Sequence, residues 1–142
     1  MARTYRLGLV RRLINRLVRG LLRFGLVPKG TYLLSVRGRR SGRVHSTPVT
    51  LIEDGGRYLV APYGEVQWVR NARSAGAVTL SRGRTTETVV VEELSPQEAA
   101  PVLREYLRMA GVVVAPFFDV TRDSPLEAFA AEADRHPVFR LR

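Results

Sequence analysis

Apolar positions follow two rhythms along this chain. Between Tyr5 and Leu26 they recur every three or four residues. Leu7, Val10, Ile14, Leu17, Val18, Leu21 and Leu22 share one broad face, with Arg12, Arg16, Arg19 and Arg23 opposite. That spacing predicts an amphipathic helix over residues 5–26, closed near Gly25 and Pro28. The arginines interrupt the apolar run too often for a transmembrane span or a signal-peptide core. Such a helix either docks on the protein's own sheet or lies on a membrane surface, and docking is the commoner use of an apolar face.

After Pro28 the rhythm changes to short β-rich runs bounded by turn residues. Strands are predicted over residues 31–36, 47–53, 57–61, 77–82 and 85–92. Asp54-Gly55-Gly56 and Arg82-Gly83-Arg84 read as hairpin turns. A short helical piece is predicted over residues 66–74. Ser95-Pro96-Gln97-Glu98 forms a capping box for a helix reaching about Met109. Ser124-Pro125-Leu126-Glu127 predicts the same device for a helix reaching about Asp134. Residues 136–141 are expected to close the chain as a short edge strand. Short strands joined by tight turns favour a small barrel over a doubly wound sheet. The expected class is α+β, mainly β, with residues 1–142 forming a single domain.

Composition adds direction. A chain of 142 residues with 25% charged and 45% hydrophobic residues can bury one core and is not disordered. The net charge of +10 is uneven: residues 1–45 carry eleven arginines, one lysine and no acid, while the remainder sums to −2. This asymmetry points to a membrane surface, a nucleic acid or an anionic ligand. A GC-rich genome accounts for much of the arginine total, but not for its placement. Nucleic acid is disfavoured, because aromatic residues are not interleaved with the basic ones. The absence of cysteine excludes disulfides and thiol chemistry, and His45 and His136 stand too far apart in sequence to suggest a zinc site.

The densest chemistry lies between the first two predicted strands. Arg37-Gly38-Arg39-Arg40-Ser41-Gly42-Arg43-Val44-His45-Ser46-Thr47-Pro48 packs four arginines, a histidine, three side-chain hydroxyls from Ser41, Ser46 and Thr47, and two glycines into one connection. Guanidinium forks match phosphate and carboxylate oxygens, and glycine lets backbone amides approach closely. The segment reads as a grip for a multi-oxygen anion, against the plainer alternative of a solvated basic turn. Trp68 is expected to pack, to face a ligand, or both. Asn71 has a helix-end cap as its plain reading. Arg70 and Arg73 are expected to be solvated. Tyr106, Phe117 and Phe118 could wall a substrate pocket or form a core stripe; the core is favoured for Tyr106, the phenylalanines stay open, and His136 is expected to be structural.

Gly38-Arg39-Arg40-Ser41-Gly42-Arg43 with His45-Ser46-Thr47-Pro48-Val49, followed by Tyr58-Leu59-Val60-Ala61-Pro62-Tyr63-Gly64 and Trp68-Val69-Arg70-Asn71, resembles the deazaflavin-dependent nitroreductase and quinone-reductase family of actinobacteria. The closing His136-Pro137-Val138-Phe139 is similar to that family's tail. The resemblance implies a split β-barrel of the FMN-binding kind and coenzyme F420, which carries a phosphodiester and an oligoglutamate tail; flavin mononucleotide is the second choice. It places Arg39, Arg40 and Ser41 at the phosphate and tail, with His45 at a nearby anchoring position, and Pro48, Val60 and Ala61 along the deazaflavin ring; Gly42, Thr47 and Pro62 are further cofactor-binding candidates. Trp68 and Asn71 belong to its second motif. Pro62 replaces a serine common in the family, and His45 replaces an arginine. No acid or base stands out as proton donor; solvent or a tyrosine such as Tyr63, the candidate catalytic residue, could serve.

The implied function is hydride transfer from reduced deazaflavin to an electron-poor small molecule: a quinone, nitroaromatic or enone. The alternatives are a flavin or deazaflavin carrier of the same fold, and a basic peripheral protein that binds membrane or nucleic acid. The expected location is cytoplasmic, with the inner membrane face reached through residues 1–26 as the open option. Oligomeric state is not readable.

Overall fold

The computed structural model describes Arg16, residues 30–53, 55–121 and 123–142. The amphipathic helix expected over residues 5–26 lies outside them except for Arg16, which is helical and exposed. Six strands are described: β1 (Thr31–Arg37), β2 (Val44–Glu53), β3 (Arg57–Val60), β4 (Ala77–Arg82), β5 (Thr85–Glu93) and β6 (Val138–Leu141). They close into an antiparallel barrel in the order β1-β2-β3-β6-β5-β4, and β4 pairs back onto β1. Three described helices accompany it: α1 (Gln67–Ala75), α2 (Pro96–Val114) and α3 (Leu126–Glu132).

Period-two alternation builds the barrel interior. Leu34 and Val36 of β1, Val49 and Leu51 of β2, Val78 and Leu80 of β4, and Phe139 and Leu141 of β6 share one buried cluster. Val69 and Ala72 of α1 enter the same cluster, so this helix is held by the barrel core itself. Gly76 ends α1 by donating its N–H to the Ala72 carbonyl at 2.8 Å. A second cluster covers the outer face of β2, β3 and β6. There Ile52, Val60 and Val138 meet Leu103 and Leu107 of α2 and Phe129 of α3. Each such side chain contributes roughly 1.5–3 kcal/mol by leaving water.

Several elements depart from the sequence-based expectation. β2 begins at Val44 rather than residue 47, because its ladder with β1 continues to the Arg37–Val44 pair. β6 is not an edge strand: it lies between β3 and β5 and completes the barrel. With both faces covered it reads as an apolar run, which hides its second partner. α2 runs past Met109 to Val114.

The capping box at α2 forms as expected. The Ser95 hydroxyl accepts the Glu98 N–H at 3.3 Å, and the Glu98 carboxylate accepts the Ser95 N–H at 3.3 Å. The box expected at α3 does not form. Pro125 is the cap residue and makes no side-chain bond, while the Ser124 hydroxyl instead accepts the Thr121 N–H at 3.0 Å. Starting the helix one residue later leaves the serine outside it.

Candidate functional site

β3 pairs with β2 only at Leu51–Glu53. From Val44 to Thr50, β2 therefore has β1 as its one ladder partner among the described residues, which leave its other edge unpaired. Proline is tolerated in a strand at such an edge, which accommodates Pro48. That edge forms one wall of a cleft of about 850 Å³, within the roughly 300–1,000 Å³ of small-molecule sites. The β1–β2 loop, the start of α1, the Pro62–Tyr63 segment after β3, and Tyr106 of α2 supply other walls, and Arg16 also borders the space.

The β1–β2 loop is stitched by its own backbone. Gly38 donates its N–H to the Arg43 carbonyl at 2.7 Å, and Gly42 donates to the Gly38 carbonyl at 3.0 Å. A Cβ on Gly38 would lie 2.9 Å from Ser41 Oγ, 3.1 Å from His45 Nε2 and 3.2 Å from the Arg43 carbonyl oxygen, so any side chain here would crowd the turn. Gly42 has φ +73°, the left-handed region that glycine adopts without strain. The Ser41 hydroxyl accepts the Arg43 N–H at 3.2 Å. Arg40, Ser41, Arg43 and His45 are left exposed on this frame.

Asn71 fixes the loop from α1. It is 4% exposed, and its Oδ1 accepts both the backbone N–H of Arg39 at 3.2 Å and Arg39 Nη1 at 2.8 Å. Gln67 Oε1 takes a second bond from Arg39 Nη1 at 2.9 Å. Both acceptors are neutral, so they orient the guanidinium without cancelling its charge. Among the described residues, Arg39, Arg40 and Arg43 form no ion pair. The N-terminus of α1, the positive end of its dipole, adds to this field through Gln67. Asn71 is thus a clamp on the loop rather than the helix-end cap of its plain reading.

Arg39, Arg40, Ser41, His45, Thr47, Pro48, Val60, Pro62, Tyr63, Trp68 and Asn71 all border the cleft. Two named candidates do not: Ala61 is fully buried in the barrel core, and Gly42 serves the turn. Trp68 does both things expected of it, packing tilted against Phe139 at 6.2 Å between ring centroids while facing the cleft. The Tyr63 ring is held edge-on by Phe117 at 4.9 Å.

One contributor escaped the sequence reading: Gln67 borders the cleft. Ser46 of the hydroxyl-rich segment borders it too, and Tyr106 both sits in the core and borders the cleft. The positions of Gln67 and Asn71, four apart on one helix face, were a usable signal for Gln67; nothing local marks Tyr106. Burial pushes the Tyr106 phenol well above its ordinary range, with a smaller push from Tyr63.

Arg73 corrects an expectation: it is paired rather than solvated. It forks onto Glu65 at 2.7 and 2.8 Å and onto Glu93 at 2.6 and 3.0 Å. His136 lies behind the site, stacked on Phe118 at 3.8 Å and 3.4 Å from Glu132. Burial pushes its imidazole below the ordinary value, against the pull of Glu132.

The sequence model of the F420H(2)-dependent quinone reductase family matches residues 14–116. No curated protein matches the chain. Among solved structures, a protein of unknown function from Agrobacterium tumefaciens aligns at TM-score 0.56 and 18% identity. That alignment covers 89% of this chain but 53% of the other, so the chain spans about half its length. An F420 reductase aligns at TM-score 0.51 and 18% identity over 87% of this chain and 90% of its own. A NimC/NimA family protein from Clostridium acetobutylicum aligns at TM-score 0.52 and 12% identity, covering 94% and 87%. At these identities the structural likeness establishes the split-barrel fold. The family match extends over most of the chain and includes the arginine loop, the cleft edge and α1, so the protein belongs to the F420H(2)-dependent quinone reductases, oxidoreductases that work with reduced coenzyme F420.

Proposed function

We propose that the cleft seats coenzyme F420 with its anionic phosphodiester and glutamate tail on Arg39, Arg40, Ser41 and His45. The ring lies along Thr47, Pro48, Val60, Pro62 and Trp68. The observation that carries this reading is the set of arginines on the cleft side of the loop with no carboxylate partner among the described residues. A site for a polyanion needs cations that are held in place but not neutralised, and Asn71 and Gln67 provide that for Arg39. A planar apolar ring suits the opposite wall, where Pro48, Val60 and Trp68 border the same space. The residues present therefore fit the coenzyme.

When bound, the coenzyme supplies a hydride and is an obligate two-electron donor. The protein anchors, orients and partly dries the reacting pair. Tyr63, at the end of β3 and braced by Phe117, faces the acceptor side and acts as the proton donor. The acceptor is an electron-poor small molecule of the quinone, nitroaromatic or enone type. The cationic field also favours the negative charge that develops on a reduced acceptor.

Residues 1–142 are read as one split-barrel unit. No helix among the described residues is long and apolar enough to cross a membrane. The basic residues 1–26 are proposed to hold the protein at the inner face of the cell membrane, near lipophilic acceptors. Co-sedimentation with anionic vesicles that does not weaken when Arg12, Arg16, Arg19 and Arg23 are replaced would remove that part.

Titration with coenzyme F420 and with flavin mononucleotide, followed by quenching of the sole tryptophan, Trp68, tests the cofactor site. Selective saturation by the deazaflavin is expected; preference for flavin overturns the assignment. Oxidation of bound reduced coenzyme on adding menadione separates an enzyme from a carrier.

A further inference from the structure

Tyr106 presents a polar group that the coenzyme site does not use. It sits on α2 at 5% exposure, packed among Leu103, Leu107 and Phe129, yet it borders the cleft. Its hydroxyl makes no hydrogen bond with any described residue. A phenol on a packed helix that borders the cleft and has no hydrogen-bond partner among the described residues is a donor available to a ligand. Tyr63 borders the same region from the loop after β3, and the two phenols are close enough for charge on one to act on the other.

We infer that Tyr106 forms, with Tyr63, the oxygen-recognition subsite for the electron acceptor, donating a hydrogen bond to the carbonyl or nitro oxygen of the bound molecule. This rests on the cofactor reading above. When the acceptor takes the hydride with both its electrons, a π pair moves onto that oxygen; the coenzyme is oxidised and the acceptor reduced. The Tyr106 bond strengthens as the charge grows, which is the form of stabilisation that raises kcat. Tyr106 keeps its own proton, and the oxygen is protonated by Tyr63, which water reprotonates. Burial supports this division of labour, because it makes the Tyr106 phenol a weaker acid while leaving it able to donate.

Tyr106→Phe preserves the ring and removes the donor. Its kcat with menadione is expected to fall about tenfold to a hundredfold, with coenzyme affinity within about twofold of wild type. Reduction of an oxygen-free acceptor, the phenazine methosulfate cation, is expected to change by less than about threefold. An undiminished menadione rate overturns the inference, as does an equal loss on both acceptors, which marks a structural role.

Should the phenylalanine variant fail to fold, 3-fluorotyrosine at position 106 provides the second measurement. Its fluorine resonance is expected to move when menadione is added to the complex with oxidised coenzyme, and an unmoved resonance overturns the inference. Failure of the wild-type protein to bind F420 overturns the cofactor reading instead, so the two failures are distinguishable.

Discussion

Two groups of arginines among the described residues stand in contrast. Away from the β1–β2 loop, Arg57 meets Glu87 at 2.6 Å, Arg73 meets Glu65 and Glu93, Arg135 meets Asp119 and Glu132, and Arg140 and Arg142 meet Glu92. In the β1–β2 loop, Arg39 is held by two neutral amides, while Arg40 and Arg43 stand exposed without acid partners among the described residues. Paired arginines have their charge balanced inside the fold. On the proposed reading, an oriented but unbalanced cluster takes its partner from a bound anion, and the loop's self-stitched backbone limits the entropy lost when that partner arrives. The same residue type would then serve the fold in one region and the ligand in the other.

The sharpest break of this contrast is Arg39→Ala with Arg40→Ala. Each charge-assisted bond lost is worth about 1.5–3 kcal/mol, so coenzyme affinity should fall on the order of a hundredfold or more. Thermal stability should hardly change, because neither side chain balances a carboxylate. If affinity stays within about twofold, the loop is a solvated turn.

Asn71→Ala removes the clamp and leaves the Arg39 N–H without its acceptor. A stability loss of about 1–3 kcal/mol is expected, read by denaturant unfolding, with weaker coenzyme binding alongside it. Unchanged affinity would mean that Arg39 needs no orientation.

Arg73→Ala is the converse control on the paired population. Its partners are more than a third exposed, so the loss should be only about 0.5–1 kcal/mol, with coenzyme binding unaffected. A large effect on binding would collapse the distinction between the two groups.

The smallest effect is in pH. Burial lowers the His136 pKa from its ordinary 6.5 in the folded state. The unfolded chain then binds the proton more readily. Stability is complete above about pH 6.5 and declines as pH falls through that value toward the folded pKa. His136→Gln should flatten this part of a melting-temperature series, and a persisting slope would assign it to another group. Arg73 holds the Glu65 carboxyl below its ordinary 4.5, so a further, smaller loss is expected in more acid solution, absent in Arg73→Ala.

The strands, the hairpin turns and the Ser95–Glu98 cap were legible because each is written in neighbouring residues: alternation, glycine pairs, and a serine three places before a glutamate. The arginine loop was legible for the same reason, since its chemistry is contiguous. The place of β6 was not, because two covered faces erase alternation and strand order is a long-range choice. Nor was the failed box at Ser124, where a one-residue shift in helix start redirects the hydroxyl to Thr121.

The sequence by itself determined a small β-rich fold, an arginine-rich loop and a basic N-terminal third. Only the tertiary structure decided which arginines are neutralised. Pairing depends on distance across elements: Arg73 finds Glu93 from twenty positions away, while Arg39 of the loop finds two neutral amides. It also decided that Tyr106, an ordinary core position by pattern, borders the cleft. A helix face fixes which residues turn inward, but what they meet there is set by the packing of another element.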